Sequence, residues 1–176
     1  MSLPPQSTSL GKVGLSISAI GLLIFIVGFA CPYWLTTTIE IPVLGANHIN
    51  VGLFKACNTF TGCESSNEPK DWQYATAGLE VLGLCLSLAT VSGAILYVCV
   101  LNTTWVAKLK WSFIATGMLA GSAVIGGCVV FVLNRDNVSD LTAGIEYDIG
   151  WSFALGAVGG ILQILSAGLF IVDCFV

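Results

Sequence analysis

The chain is short of charge. Asp, Glu, Lys and Arg make up 9% of its 176 residues, where a soluble domain carries about 25%. Hydrophobic residues make up 56%, and the mean hydropathy is +0.90. A chain of this length leaves a large share of its surface outside any core. That much apolar side chain cannot be hidden from water by folding alone, which excludes a soluble globular protein. The same composition excludes a disordered chain, a coiled coil and a scaffold held by disulfides only. Six basic residues against ten acidic ones, with no basic patch, exclude a nucleic-acid binder. Histidine occurs once, at His48. The sequence lacks a Cys/His cluster with metal spacing, a Gly-rich phosphate loop and a nucleophile elbow. No enzyme, metal site or cofactor is expected. What remains is a polytopic membrane protein, with lipid as its main contact.

The few charges divide the chain. No Asp, Glu, Lys or Arg occurs in Val13–Ile39, Val81–Ala107, Trp111–Asn134 or Ile149–Val172. Each run exceeds the ~20 apolar residues that cross a ~30 Å hydrocarbon core. Backbone groups in lipid must be satisfied within their own segment, so the runs read as helices. They are expected at about 12–33, 72–101, 111–133 and 150–172, with loops at about 34–71 and 134–149. Tyr33, Trp34, Trp72, Trp105, Trp111 and Trp151 fall near the ends, where an interfacial belt belongs. The short link Asn102–Lys110 holds Lys108 and Lys110, and Lys12 lies near the start. The positive-inside rule then puts both termini and this link in the cytosol. The two remaining loops are extracellular, with net charges of −2 and −3. An acidic outer face attracts cations over a Debye length of about 8 Å.

Small residues recur at four-residue spacing: Gly117 with Gly121, and Gly156 with Gly160. They let helix backbones approach closely in lipid, here to pack one four-helix bundle. Glu80 is the one acid that falls within a span, at the interface or facing an outer vestibule. No span interior offers a basic partner, so a pump or transporter built from one chain is not expected.

Of seven cysteines, Cys31, Cys85 and Cys128 lie in or at the ends of spans and read as small hydrophobes. Cys57 and Cys63, with five residues between them, share the first outer loop, where a disulfide is the natural state. Cys99 and Cys174 sit at cytosolic helix ends, as candidates for palmitoylation. Two glycosylation sequons occur: Asn102 on the cytosolic side, expected unmodified, and Asn137 outside, a candidate N-glycosylation site.

The first outer loop alternates. Leu35, Thr37, Ile39 and Ile41 point one way, and Trp34, Thr36, Thr38 and Glu40 the other, as in a half-buried strand. A turn around Pro42, Gly45 and Asn47 follows, then a strand over His48–Ala56 and a short return strand near Phe60–Cys63. The expected fold is an all-α transmembrane four-helix bundle carrying a small extracellular antiparallel β-sheet.

Trp34, then Gly52-Leu53-Phe54, then Cys57 and Cys63 resemble the signature of claudins and of the related peripheral myelin, epithelial membrane and lens fibre membrane proteins. In that signature a Trp follows the first helix, and Gly-Leu-Trp precedes two disulfide-bonded cysteines; here Phe54 stands where the last Trp is usual. Cys31-Pro32-Tyr33-Trp34 resembles the Pro-x-Trp with which claudins leave their first span. Tyr147-Asp148-Ile149-Gly150 resembles the Tyr-Glu-x-Gly that precedes their fourth. The resemblance implies a plasma-membrane protein of cell–cell junctions, assembling with copies of itself or related tetraspans within and across membranes to form a paracellular barrier or a cation-preferring pore. Candidate pore-lining residues are Glu64, beside a disulfide cysteine, with Glu40, Thr36 and Thr38. The alternative is an auxiliary, gamma-type subunit of an ion channel or receptor, as other members of this superfamily are. Claudins end in a longer tail that binds PDZ scaffolds. The short Asp173-Cys174-Phe175-Val176 tail is not expected to reach one.

Overall fold

A computed structural model describes residues 9–42, 45–65, 71–100, 105–135 and 147–175. In chain order these form helix α1 (Ser9–Ala30) and strands β1 (Leu35–Ile41), β2 (Gly45–Val51), β3 (Lys55–Asn58) and β4 (Gly62–Ser65). Helices α2 (Asp71–Ile95) and α3 (Trp105–Asn134), strand β5 (Asp148–Ile149) and helix α4 (Trp151–Val172) follow. The last turn of α2 widens into a π-helical stretch, Leu96–Val100. All four helices are long and apolar enough to cross a bilayer, the make-up of a multi-pass membrane protein.

Beyond a start of α1 at Ser9 rather than 12, the helix ends differ from the sequence expectation in two places, each for a local reason. α1 stops at Ala30 rather than 33, because Pro32 disfavours helical backbone at the residue before it. α3 starts at Trp105 rather than 111: Lys108 and Lys110 limit how much of the helix suits hydrocarbon, not where helical backbone begins.

Much of what the four helices turn inward is small or polar, with a few large apolar side chains such as Phe25, Phe113, Phe131 and Phe170 among it. The buried residues of α2 include Thr76, Glu80, Gly83, Ser87, Thr90 and Ala94. In α4 they include Ser152, Gly156, Gly159, Gln163, Ser166 and Phe170, and in α1 Gly11, Gly14, Ser18, Gly21, Phe25 and Gly28. In α3 Lys110, Phe113, Gly117, Ala120, Val124, Gly127 and Phe131 are buried. Every series steps by threes and fours alternately, the 3.5-residue period of left-handed helix packing. Large apolar side chains such as Leu23, Leu119, Leu133 and Leu165 face outward. Around this seam hydrogen bonds tie the helices in pairs. Ser18 donates to Gln163 Oε1 at 2.8 Å, Gln163 Nε2 to the Ser18 carbonyl at 3.1 Å, and Ser166 to the Gly14 carbonyl at 2.7 Å, joining α1 to α4. Thr90 donates to Thr116 Oγ1 at 3.0 Å between α2 and α3.

The glycines singled out by spacing stand at these contacts. A Cβ on Gly121 would lie 2.6 Å from the Gly160 carbonyl, one on Gly160 would lie 2.9 Å from Val124, and one on Gly117 would meet Thr90 and Ala167. Gly156 leaves space beside the Trp34 ring. Glu80 does not face an open vestibule. It is fully buried against α3, where Gly127 has no side chain and Cys128 Sγ lies 3.8 Å from Oε1.

The strands form one antiparallel sheet in the order β4-β3-β2-β1-β5. The strand expected over His48–Ala56 is two strands. β2 ends at Val51 because Gly52 turns the chain: its N–H donates to the Lys55 carbonyl at 2.8 Å, and a Cβ there would sit 2.6 Å from Pro32 Cα. The return strand runs over Gly62–Ser65 rather than Phe60–Cys63, since Phe60 and Thr61 complete the turn before it. That turn closes on Gly62 at φ +83°, a conformation that favours glycine. β5, which sequence reasoning missed, pairs with β1 beside α4.

Candidate functional site

The sheet is rooted in the bundle through Trp34. This residue is 0% exposed and so does not belong to an interfacial aromatic belt. Its indole N–H donates to the Gly28 carbonyl at 2.9 Å. Its ring meets Phe131 and Phe153 edge-on, at 5.0 and 5.6 Å between centroids. Trp72 joins the cluster through Phe131 at 5.9 Å. The Trp34 backbone is held from both sides: its N–H donates to the Val51 carbonyl at 3.1 Å, and its carbonyl accepts from Gly150 N–H at 2.9 Å. Ser152 N–H then donates to the Tyr33 carbonyl at 3.1 Å, and Gly150 lies too close to that carbonyl for a side chain. The remaining signature residues surround this root. Gly52 is buried against Pro32, Leu53 packs on the Trp34 cluster, and Phe54 is 44% exposed with its ring edge-on to Phe29 at 5.2 Å.

Further out, Cys57 and Cys63 stand opposite each other on β3 and β4 and are disulfide-bonded, with 4.0 Å between Cα atoms. The turn between them is fixed by Asn58, whose Oδ1 accepts from Phe60 N–H at 3.0 Å and from Thr61 N–H at 2.6 Å. Thr59 ties the turn to β2, accepting from His48 N–H at 3.0 Å through its hydroxyl and donating its own N–H to Asn47 Oδ1 at 3.2 Å. The crosslinked end of the sheet is thus held by side chains as well as by strand pairing.

Strand register assigns the two faces. Residues directly opposite in an antiparallel ladder share a face, and neighbours along a strand alternate. One row runs Asp148, Thr36, Asn50, Cys57 and Cys63 across all five strands. Thr38 with His48, Glu40 with Ala46, and Lys55 with Ser65 lie on the same side. This face is polar. Glu40, Thr38, His48 and Asp148 are exposed, Thr36 is half-buried, and Thr38 Oγ1 shares a 3.0 Å hydrogen bond with His48 Nδ1. The next row runs Ile149, Leu35, Val51, Ala56 and Glu64. Leu35 is fully buried there, and Ile49 and Val51 pack against the cluster it forms with Trp34, Tyr147, and Cys128 and Phe131 of α3. Of the four candidate lining residues, register therefore groups Thr36, Thr38 and Glu40 and separates Glu64, which is exposed on the other face. Glu64 borders a shallow pocket with Ile49, Ala56, Asn58 and Gly62.

At the end of the bundle away from the sheet, Cys174 is half-buried, its thiol donating to the Phe170 carbonyl at 3.3 Å. Cys99 lies in the π-helical stretch. Asn102, Asn137 and Val176 lie outside the described residues. The same end holds a group that sequence reasoning missed. Lys110, Asp173 and Tyr97 converge from α3, the residue after α4 and the π-helical stretch. Lys110 continues the three-and-four spacing of the α3 seam, which was the available signal. No protein-family model matches the chain, and no curated protein matches it.

Proposed function

We propose that this protein is a claudin-like tetraspan of cell–cell junctions, whose disulfide-closed sheet stands outside the cell and seals or gates the paracellular space with a preference for cations. One observation carries the reading: a polar sheet face, crosslinked at Cys57–Cys63, is anchored in the helix bundle by the buried Trp34. A sheet fixed to its membrane anchor in this way keeps one orientation as copies line up. The resemblance of Trp34, Gly52-Leu53-Phe54 and the cysteine pair to the claudin signature supports it, as do the exposed carboxylates Glu40 and Asp148, since acids beside a narrow aqueous gap favour cations. The test is expression in fibroblasts that make no junction strands. Freeze-fracture at cell contacts should show continuous strands. Dispersed protein that copurifies with a channel would replace this reading with that of an auxiliary subunit.

A further inference from the structure

We infer that Asp148, not Glu64, supplies charge selection on the conducting face of the sheet, together with Glu40. The inference rests on the junction reading above and adds to it which carboxylates meet the permeating ion. It follows from register. Glu64 neighbours the disulfide in sequence, but alternation turns it to the side opposite Cys63 and Thr36. Its row runs through Ala56 and Val51 to Leu35, fully buried on the bundle, and on to Ile149, so that side of the sheet is committed to packing where β1 meets the bundle. The other side is polar across all five strands. Asp148 stands directly opposite Thr36 on β5, and both side chains belong to that side. Glu40 lies four residues further along β1, with Thr38 between.

A strip of hydroxyl and carboxylate oxygens therefore follows β1 from the bundle outward, with an exposed acid near each end: Asp148 at the base and Glu40 toward the tip. Oxygen ligands suit hard cations. Lys55 shares the face but sits on β3 opposite Ser65, three strands from β5. An ion passing between two such faces meets Asp148 whether or not β4 lines the passage.

The experiment is a paracellular dilution-potential measurement in an epithelial monolayer expressing the full chain, using sodium chloride, with surface labelling to confirm delivery. Asp148→Asn should lower the sodium-to-chloride permeability ratio by roughly twofold or more, as loss of a poorly screened charge requires. Asp148→Glu, which keeps the charge, should hold the ratio, and Glu64→Gln should leave it unchanged. β5 pairs through its backbone, so the Asn variant keeps the strand. Should Asp148→Asn reach the surface poorly, Glu40→Gln tests the same face: it should lower the ratio, and a ratio unmoved by it but lowered by Glu64→Gln overturns the inference. A ratio lowered by Glu64→Gln and untouched at Asp148 overturns the inference while leaving the junction reading in place. A wild-type chain that adds no ion-selective conductance at all also overturns the inference and leaves the sealing form of the junction reading, which the strand assay tests separately.

Discussion

Lys110 Nζ lies 2.6 Å from Asp173 Oδ2, and both side chains are buried where α3 begins and α4 ends. Lys110 also donates to the Asp173 carbonyl at 3.0 Å, and the Tyr97 hydroxyl donates to Oδ2 at 3.0 Å. One ion pair thereby gathers three segments of the bundle at the end opposite the sheet.

Removing one partner strands the other charge. Lys110→Met should destabilise the protein by about 3–5 kcal/mol, read as a lower unfolding midpoint in detergent. Lys110→Met with Asp173→Leu should recover most of that loss. A double variant no better than the single would show that the pair is not what holds this end together.

Trp34 fills the space between Gly28, Gly156 and Phe131. Trp34→Ala should cost about 3–5 kcal/mol through the cavity it leaves. Trp34→Phe, which loses the bond to the Gly28 carbonyl but keeps an aromatic ring, should cost less. Equal losses for the two would mean that ring packing contributes little beside the hydrogen bond.

Two classes of glycine should respond with opposite signs. A Cβ on Gly28 would lie 2.6 Å from Gly156 N and 2.7 Å from the Ser152 carbonyl. Backbone cannot give way cheaply, so Gly28→Ala should cost about 1–3 kcal/mol. Gly168 has nothing within 4 Å of that position. There Ala should be neutral or stabilise by up to about 1 kcal/mol, its advantage over Gly inside a helix. Thermal unfolding of the two variants side by side is the check.

Glu80 and Gly127 should be energetically coupled, because a Cβ at 127 would come within 2.5 Å of Oε1. In a double-mutant cycle, Gly127→Ala should be milder by about 0.5–3 kcal/mol in a Glu80→Ala background. Strict additivity would mean that the carboxyl moves aside freely.

The disulfide closes a loop whose cysteines are six residues apart in sequence. Chain-entropy reasoning gives it about 2 kcal/mol. Reducing agent, or Cys57→Ser with Cys63→Ser, should lower the unfolding midpoint of the folded sheet. A midpoint indifferent to both would locate the stability of the sheet entirely in its root.

The four helices were legible in the sequence because lipid imposes a length and forbids charge, and both show directly in residues such as those of Trp111–Asn134. The cysteine pair was legible because Cys57 and Cys63 are local. Which side of each helix faces inward was much less so. The usual signal is an apolar stripe, whereas here Thr76, Glu80, Gly83 and Ser87 face inward and Leu82 and Leu88 face outward. Small and polar residues stepping by threes and fours carry that information instead. The side on which Glu64 projects was illegible, since counting alternate residues fails across the turn at Gly52 and only pairing restores the parity. β5 is two residues long, too short to show alternation at all. Lys110 and Asp173 stand 63 positions apart, and nothing local joins them.

The position of β5 sets a timetable for assembly. It lies immediately ahead of the last helix yet hydrogen-bonds to the strand that follows the first. The outer edge of β1 stays uncovered until the ribosome has delivered the first three helices and β5 behind them. Maturation of the sheet is therefore a late step that waits on β5, and a nascent chain stalled before that strand would show a bare strand to the cell's quality-control machinery.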